Sequence, residues 1–160
     1  MVVSIFGESD VYAAAQRARS LTQGLDFSEA DRVRIETVIL ELGRNVVLYA
    51  GQGEILVQVM KRRGRVGVQV RAIDRGPGIA DVALALHDGY LTSGGLGTGL
   101  GSVRRLVDEF TIESAVGRGT RVTAVKWVTG SVAEAHDQVA QGAAKWTAYW
   151  NYGYANTTRR

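Results

Sequence analysis

The chain has 160 residues, of which 46% are hydrophobic and 22% are charged, with a formal net charge of +3. This composition is ordinary for a globular protein and suffices for one hydrophobic core. The lack of cysteine excludes disulfides, a cysteine nucleophile and thiolate metal sites. No apolar run reaches the roughly 18 residues of a membrane span, and the N-terminus turns polar too early for a signal peptide. We therefore expect a cytoplasmic protein without a membrane partner.

The first part of the chain predicts an edge strand followed by two helices. The segment "VVSIF" alternates loosely, as an edge strand does. Asp10 is the expected N-cap of the first helix and Gly24 its stop, while Ser28 is the expected N-cap of a second helix that ends near Gly51. The second helix should bury one apolar stripe, made of Ile35, Val38, Ile39, Leu42, Val46 and Tyr49.

A basic turn connects the next two predicted strands. "EILVQVM" and "VGVQVRAI" alternate with period two and flank "KRRGR", so we expect an antiparallel hairpin. The basic cluster could be a solvated turn or a nucleic-acid patch. We favour the turn because no stacking aromatic lies near it in the sequence, and we expect no nucleic-acid partner.

The rest of the chain predicts more helices and a last strand pair. A short helix is expected in "ADVALALHDG", and a helix with apolar residues at Val103, Leu106, Val107 and Phe110 follows the glycine-rich stretch. "FTIESAV" and "RVTAVKWV" form two strands joined by "GRGT". The elements predict a two-layer α+β sandwich over residues 1–128, with a mixed, mostly antiparallel sheet and helices on one face.

Residues 129–160 follow the predicted sandwich and combine a helical pattern with many aromatic residues. Ser131 and Glu134 form a capping box, and the following helical stripe ends in the aromatic run "WTAYWNYGY". We expect a helical, aromatic-rich extension, which either packs on the domain or docks a partner.

Six glycines lie within thirteen residues between Gly89 and Gly101, just before a predicted helix. Glycine lets the backbone approach a phosphate closely, and a helix N-terminus offers unpaired N–H groups. Neither the P-loop pattern nor GxGxxG fits the spacing. From these residues alone, a loop without a ligand and a nucleotide lid both remain open.

Glu41 and Asn45 lie one turn apart on the same edge of the second helix. A carboxylate can accept the proton of an attacking hydroxyl, and an amide oxygen can complete a Mg²⁺ shell otherwise made of phosphate and water oxygens. Two solvated side chains would give the same pattern.

"DRGPG" follows a strand and "GRGT" lies between two strands. Both are typical of simple turns. The functional interpretation is that Asp74 accepts a hydrogen bond from an exocyclic amine, that Gly76 and Gly78 leave room for a flat base, and that Thr120 extends the site.

The order of these four pieces resembles that of the GHKL superfamily of ATP-binding domains, which share the Bergerat fold. "ELGRN" looks like the N box, and "DRGPG", "SGGLGTGLG" and "GRGT" look like the glycine boxes. The resemblance narrows to the RsbT type, the stand-alone serine/threonine kinases that switch bacterial stressosomes. It covers the chain from about Val3 to Trp127.

The resemblance implies ATP and Mg²⁺ as cofactors. Glu41 would be the catalytic base, Asn45 would hold Mg²⁺, and Asp74 would bind the adenine amine with Gly76, Gly78 and Thr120 beside it. The ATP lid would consist of Gly94, Gly95, Leu96, Gly97, Thr98, Gly99, Leu100 and Gly101.

The same resemblance implies protein partners. The substrates would be STAS-domain scaffold or antagonist proteins of the stressosome, and a PP2C-type phosphatase would be activated after release. Two alternatives stay open: an anti-sigma factor with serine kinase activity, and a non-catalytic binding module that ATP shapes. Glu41 favours an enzyme, because a module that only holds a nucleotide needs no base.

Overall fold

A computed structural model describes residues 1–87 and 99–129. The element bounds are β1 Val2–Ile5, α1 Glu8–Gln23, α2 Glu29–Asn45, a π-helical turn Val46–Ala50, β2 Gly53–Arg62, β3 Arg65–Asp74, α3 Val82–Ala85, α4 Leu100–Leu106, β4 Glu109–Ala115 and β5 Gly119–Trp127. The predicted extension beyond Thr129 lies outside the described residues, as does part of the glycine-rich stretch.

The strands form a five-stranded sheet in the order β1-β2-β3-β5-β4, with β1 at an edge as predicted. We expected a mixed sheet, but every described pairing is antiparallel. The α+β architecture with helices packed on the sheet is confirmed. Within the described ranges, no helix is both long and apolar enough to span a bilayer.

The core lies between the sheet and the helices α1 and α2. Helix α2 buries Ile35, Val38, Ile39 and Leu42, and Val46 at the start of the π-helical turn is buried with them, as the stripe predicted. They pack with strand residues that share one sheet face, including Ile55, Val57, Val68, Val70, Val122 and Ala124. Gly43 brings α1 and α2 together, because a Cβ there would lie 2.5 Å from a methyl of Val11.

The prediction that Tyr49 is buried with this stripe is wrong, since the residue is 50% exposed. The reason is the π-helical turn that follows Asn45. A π turn contains more residues than an α turn, so it rotates the side chains that follow away from the α-helical stripe. The turn ends at Gly51, whose φ of 75° lies in the left-handed region, close to the predicted stop.

The first helix begins earlier than predicted. Gly7 is its N-cap, and Asp10 is the third helical residue. The Asp10 carboxylate still caps the helix, because it accepts hydrogen bonds from the backbone N–H groups of Phe6 (2.9 Å) and Gly7 (3.1 Å). The Ser28 cap of α2 is confirmed, since Ser28 Oγ accepts from the Asp31 N–H at 3.1 Å.

The sequence placed Phe110 both on the apolar stripe of helix α4 and at the start of the strand "FTIESAV", and the structure confirms the strand, with Phe110 opposite Ala124. Helix α4 ends at Leu106, and Val107 is extended. Asp108 explains the change, because its carboxylate accepts from the backbone N–H of Trp127 (2.6 Å) and from Lys126 Nζ (3.0 Å). These contacts tie the chain to the end of β5, where it continues as a strand.

The basic turn is a tight hairpin turn, as predicted. Arg63 and Gly64 both have positive φ, at 52° and 76°, as a two-residue hairpin loop of type I′ requires. An aromatic ring does lie near it, since the guanidinium groups of Arg62 and Arg65 are 4.9 and 5.1 Å from the Trp127 ring. Trp127 is only 2% exposed, so it cannot stack on a nucleic-acid base.

A charge cluster centred on the buried residues Asp31 and Lys126 joins the N-terminal end of α2 to the C-terminal end of β5. Lys126 Nζ lies 3.5 Å from Asp31 Oδ1 and 3.0 Å from Asp108 Oδ1, and Arg34 contacts Asp31 at 2.7 Å. Burial alone would raise the pKa of Asp31. Hydrogen bonds from Arg34 and Ser28, together with Lys126, outweigh burial and lower the pKa below its ordinary value. The cluster therefore stabilises the fold with Asp31 ionised.

Candidate functional site

A cavity of about 350 Å³ opens where α2 ends, β3 ends and β5 begins. Its size falls in the range of small-molecule sites. The apolar walls include Leu42, Val46, Ala72, Ile79, Leu100 and Val122, and the polar lining includes Asn45, Asp74, Asp81 and Thr120. The cavity thus brings together residues from the N-box segment, "DRGPG" and "GRGT", which are far apart in the sequence.

Asp74 is the last residue of β3 and is held in one orientation. Its Oδ1 atom accepts hydrogen bonds from the backbone N–H groups of Gly76 (2.8 Å) and Thr120 (3.2 Å). Both contacts to the carboxylate in the described part of the chain use Oδ1, which leaves the other oxygen for a ligand. The second contact also fixes the start of β5 against the end of β3.

The glycines of "DRGPG" and "GRGT" let three turns pack closely. A Cβ at Gly76 would lie 2.6 Å from Ala50 Cβ, and one at Gly78 would collide with the Ala115 carbonyl. Gly119 has a φ of 80° and approaches the Asp74 carbonyl in the same way. Gly78 lines the cavity, whereas Gly76 contacts the end of the π-helical turn instead. The predicted place of Gly76 beside a base stays a prediction.

Asn45 and Glu41 occupy different positions relative to the cavity. Asn45 is the last residue of α2 and lines the cavity. Glu41 lies one turn earlier outside the lining, and its side chain is 16% exposed. Arg44 Nη1 is 3.8 Å from Glu41 Oε1. The sequence reasoning missed Arg44, although its i,i+3 spacing from Glu41 was a usable signal.

The glycine-rich stretch is described only in part. Gly94, Gly95, Leu96, Gly97 and Thr98 lie outside the described residues. Gly99 is the N-cap of α4 and lines the cavity together with Leu100. Gly101 is buried in the first turn of α4 and is not part of the lining. The lid role of the whole segment stays a prediction.

Ser114 is a second residue that the sequence reasoning missed. It lies in β4 directly opposite Thr120 of β5. Its Oγ is 2.8 Å from the Ile79 N, 3.0 Å from the Gly119 O and 2.9 Å from Thr120 Oγ1. The side chain therefore links the "DRGPG" turn to the "GRGT" turn behind the cavity wall. The signal was a serine that follows Phe110 and Ile112 at alternate positions, on the core-facing side of the strand.

The donor set suits a magnesium ion that is carried by phosphates. Among residues 1–87 and 99–129, no cluster of three or more His, Asp or Glu side chains could form a metal site of its own. Mg²⁺ bound with a nucleotide keeps several waters and takes one or two protein ligands. The amide oxygen of Asn45, at the end of α2 on the cavity wall, fits that requirement.

Comparisons with known proteins agree with this arrangement. The family model described as "Histidine kinase-, DNA gyrase B-, and HSP90-like ATPase" matches residues 30–129. The chain is 46% identical over 126 residues to the serine/threonine-protein kinase RsbT of Bacillus subtilis (strain 168), which covers 79% of this chain and 95% of that protein. It is 37% identical over 86 residues to the C4-dicarboxylate transport sensor protein DctS of Rhodobacter capsulatus, covering 50% of this chain and 13% of that one.

A solved structure supports the fold. The mycobacterial sensor histidine kinase MprB superposes with a TM-score of 0.50 at 17% identity, covering 79% of this chain and 96% of that chain. Such a likeness shows a shared fold alone, whereas the family match and the identity to RsbT extend over most of the chain. The chain belongs to the histidine kinase-, DNA gyrase B- and HSP90-like ATPase family and, within it, to the RsbT-type serine/threonine-protein kinases.

Proposed function

We propose that this protein is a cytoplasmic kinase that uses Mg·ATP to phosphorylate a serine or threonine of STAS-domain stressosome proteins, and that on release it activates a PP2C-type phosphatase. The identity to RsbT over 95% of that protein supports a role in partner switching. The observation that carries the proposal is the cavity, whose lining includes Asp74 and Thr120 on the sheet side and Asn45 at the end of α2.

The sheet side of the cavity is suited to an adenine base. The carboxylate of Asp74 would accept the exocyclic amine, since two backbone N–H groups already fix its orientation. Apolar side chains such as Ala72, Ile79 and Val122 would contact the faces of a flat ring. A guanine base presents a carbonyl in place of the amine at position 6, so in the same orientation of the base this carboxylate would repel it.

The helix side would serve phosphoryl transfer. Asn45 would supply an amide oxygen to Mg²⁺, which when bound neutralises phosphate charge. Glu41 would accept the proton of the attacking hydroxyl as the oxygen–phosphorus bond forms and the bond to the leaving ADP breaks. Arg44 Nη1 lies 3.8 Å from a carboxylate oxygen of Glu41 and would help to orient that side chain in the resting enzyme. The segment from Gly94 to Gly101 would close over the phosphates and exclude water.

The test is phosphoryl transfer from γ-labelled ATP with Mg²⁺ to a STAS-domain protein from the same gene neighbourhood. We expect label on one serine or threonine of that protein and none when Mg²⁺ is chelated. Tight binding of a sigma factor would favour the anti-sigma alternative, because such a protein uses the same pocket but sequesters a sigma factor. Tight ATP binding without any transfer would contradict the kinase proposal and favour a binding module.

A further inference from the structure

The face of the sheet that points away from the helices carries an apolar cluster of its own. Helices α1, α2 and α4 pack on the other face, against the core that includes Val122 and Ala124 of β5. Because side chains alternate along a strand, the residues between and after these two point to the opposite side. The outer sheet face, as we call it, consists chiefly of Leu56, Met60, Gln69, Thr123, Val125 and Trp127.

Two side chains of the outer sheet face are withdrawn from water although they do not belong to the core beneath the helices. Val125 is 3% exposed and Trp127 is 2% exposed, and neither is a member of the main core cluster. Arg62 and Arg65 stack on the Trp127 ring, and Glu109 accepts a hydrogen bond from its Nε1 at 2.8 Å. These contacts account for the burial of Trp127, but they lie at one end of the face.

The centre of the outer sheet face needs a different cover. Val125 lies opposite Gln69 of β3, which is 9% exposed, and Leu56 and Met60 on the next strand are half-buried. The solvated face of an antiparallel sheet is normally polar. In the part of the chain that the structure describes, the helices pack on the other face. A buried valine at this position therefore indicates that a further segment covers the face.

The segment that follows β5 starts at the edge of the outer sheet face. β5 ends at Trp127, and the Val128 N–H donates to the Val66 O at 2.9 Å, which holds the chain beside the start of β3. Residues 130–160 come next. The helix that the sequence predicts from Val132 to Trp150 would be about 28 Å long. Five strands span about 20 Å, so a helix of that length can cross the whole face.

The pattern of the segment suits the outer sheet face better than the exposed side of the helices. Its predicted helix has one apolar stripe, made of Val132, Ala135, Val139, Ala143, Trp146 and Trp150. The exposed side of α1 and α2 carries the ion pairs of Arg19 with Glu29 (2.5 Å) and Glu36 (2.6 Å). A cover there would take charges out of water, which costs free energy. The outer sheet face offers apolar side chains instead.

We infer that the outer sheet face is the docking surface for residues 130–160 of the same chain, which pack their apolar stripe against Leu56, Met60 and Val125. The inference does not depend on the proposed function. Thr120 reaches the cavity from the helix side of β5, so the cover lies across the sheet from the cavity and leaves it open. The segment also occupies a surface on which a second copy of the chain could otherwise dock.

The experiment uses the absence of cysteine from the chain, because a single introduced thiol then reports the accessibility of its own position. Thr123→Cys places the thiol on the outer sheet face, and Ser20→Cys places one at an exposed position of α1. We expect the full chain with Thr123→Cys to react with a maleimide at least about tenfold more slowly than with Ser20→Cys, because the reaction requires the cover to open.

Charges on the stripe should release the cover. In the Thr123→Cys background, Val139→Asp together with Ala143→Asp should raise the reaction rate by about tenfold, because unpaired carboxylates resist burial. Gln141→Asp is the matched control, since position 141 lies on the opposite side of the predicted helix, and it should leave the rate unchanged. ADP affinity should stay within about twofold in every variant, because the cavity lies on the other face of the sheet.

Cross-linking gives a second measurement, should the doubly charged variant aggregate. The variants combine Thr123→Cys with Ala135→Cys, Val139→Cys or Ala143→Cys, one at a time. A short bismaleimide should join at least one of these pairs within a single chain, at a rate that does not depend on protein concentration. Cross-links that form only between chains, or none at all, would contradict the inference.

Three further outcomes would overturn the inference. Equal reaction rates for Thr123→Cys and Ser20→Cys would show that the outer sheet face is open. A slow Thr123→Cys that does not respond to the charges at positions 139 and 143 would mean that its strand neighbours alone bury it. Protection that rises with protein concentration, together with a dimer mass in light scattering, would assign the face to a second copy of the chain.

Discussion

The two ends of β5 use polar side chains in opposite ways. At its start, Thr120 and the neighbouring Asp74 line an open cavity and keep hydrogen-bonding capacity for a ligand. At its end, Lys126 is 9% exposed and its ammonium is held by Asp31 and Asp108. The nine residues of β5 thus connect a candidate ligand site at one end to a cluster of paired charges at the other.

Different residues at the two ends of β5 therefore serve ligand binding and the stability of the fold. Charges that pair with each other contribute to folding and offer nothing to a ligand. Side chains at the cavity are held by backbone N–H groups or by Ser114, which fixes their direction while leaving part of their capacity unused. Substitutions at the two ends should consequently have different consequences, and four predictions test this.

The largest effect is expected at Glu41, on the helix side of the cavity. Glu41→Gln keeps the size of the side chain but removes the base, so the rate of phosphoryl transfer should fall by about 10²- to 10⁴-fold. ADP affinity should stay within about twofold, because Glu41 does not line the cavity. Single-turnover kinetics measure the rate. Glu113→Gln, an exposed carboxylate on β4, is the control, and equal rates in both variants would contradict the role of Glu41.

Asp74→Asn should weaken ADP binding by about 10- to 100-fold, because it removes a charged hydrogen-bond acceptor and places an amide donor near the base. The melting temperature without nucleotide should change little, since the variant keeps an oxygen for the N–H groups of Gly76 and Thr120. Calorimetry measures the affinity. An unaltered affinity would mean that the base lies elsewhere.

Asp31→Asn should lower the stability of the fold without changing the affinity for ADP. The variant keeps the shape of the side chain but removes a charge that is 3% exposed and contacts Arg34 and Lys126. We expect a loss of about 1–3 kcal/mol in the free energy of unfolding, measured by urea denaturation. Lys126 keeps Asp108 as a partner, which limits the loss. A change in ADP affinity beyond about twofold would contradict the separate roles of the two ends of β5.

The smallest effect is expected in the pH dependence of the free energy of unfolding at acid pH. The pKa of Asp31 is lowered in the folded state, because hydrogen bonds from Arg34 and Ser28 and the charge of Lys126 outweigh the effect of burial. Its contribution is therefore complete above the unfolded pKa of about 4 and is lost as the pH falls through the folded pKa. Unfolding measured between about pH 5 and pH 2 should show a shallower pH dependence in Asp31→Asn than in the wild type. Identical slopes would exclude Asp31 as a source of acid sensitivity.

The sequence predicted those features of the fold that follow from periodicity and caps. The hairpin around Gly64, the Ser28 cap and the buried stripe from Ile35 to Val46 all follow from local spacing. It failed at Tyr49, where the π-helical turn overrides the local pattern, and in continuing the helical stripe of α4 to Phe110, where the contacts of Asp108 with β5 begin a strand. These contacts join residues distant in the chain, which no window of sequence contains.

For the candidate site too, the sequence predicted some residues and missed others. The order of the motifs suggested Asn45, Asp74, Gly78 and Thr120, which the structure brings to one cavity. Ser114 and Arg44 went unnoticed, because their importance comes from the atoms they contact: three hydrogen-bonding groups around one hydroxyl, and a carboxylate one turn away. The i,i+3 spacing of Arg44 from Glu41 was a local signal, whereas the contact of Ser114 with Ile79 joins segments that are distant in the sequence.

The melting temperatures of the wild type, Asp74→Asn and Asp31→Asn, each with and without saturating ADP, test most directly whether the two ends have separate roles. A ligand that binds only the folded state raises the melting temperature in proportion to its binding free energy. We expect Asp74→Asn to melt like the wild type but to lose most of the ADP-induced rise, and Asp31→Asn to melt at a lower temperature and keep the full rise. An ADP response that falls in Asp31→Asn and persists in Asp74→Asn would contradict these separate roles.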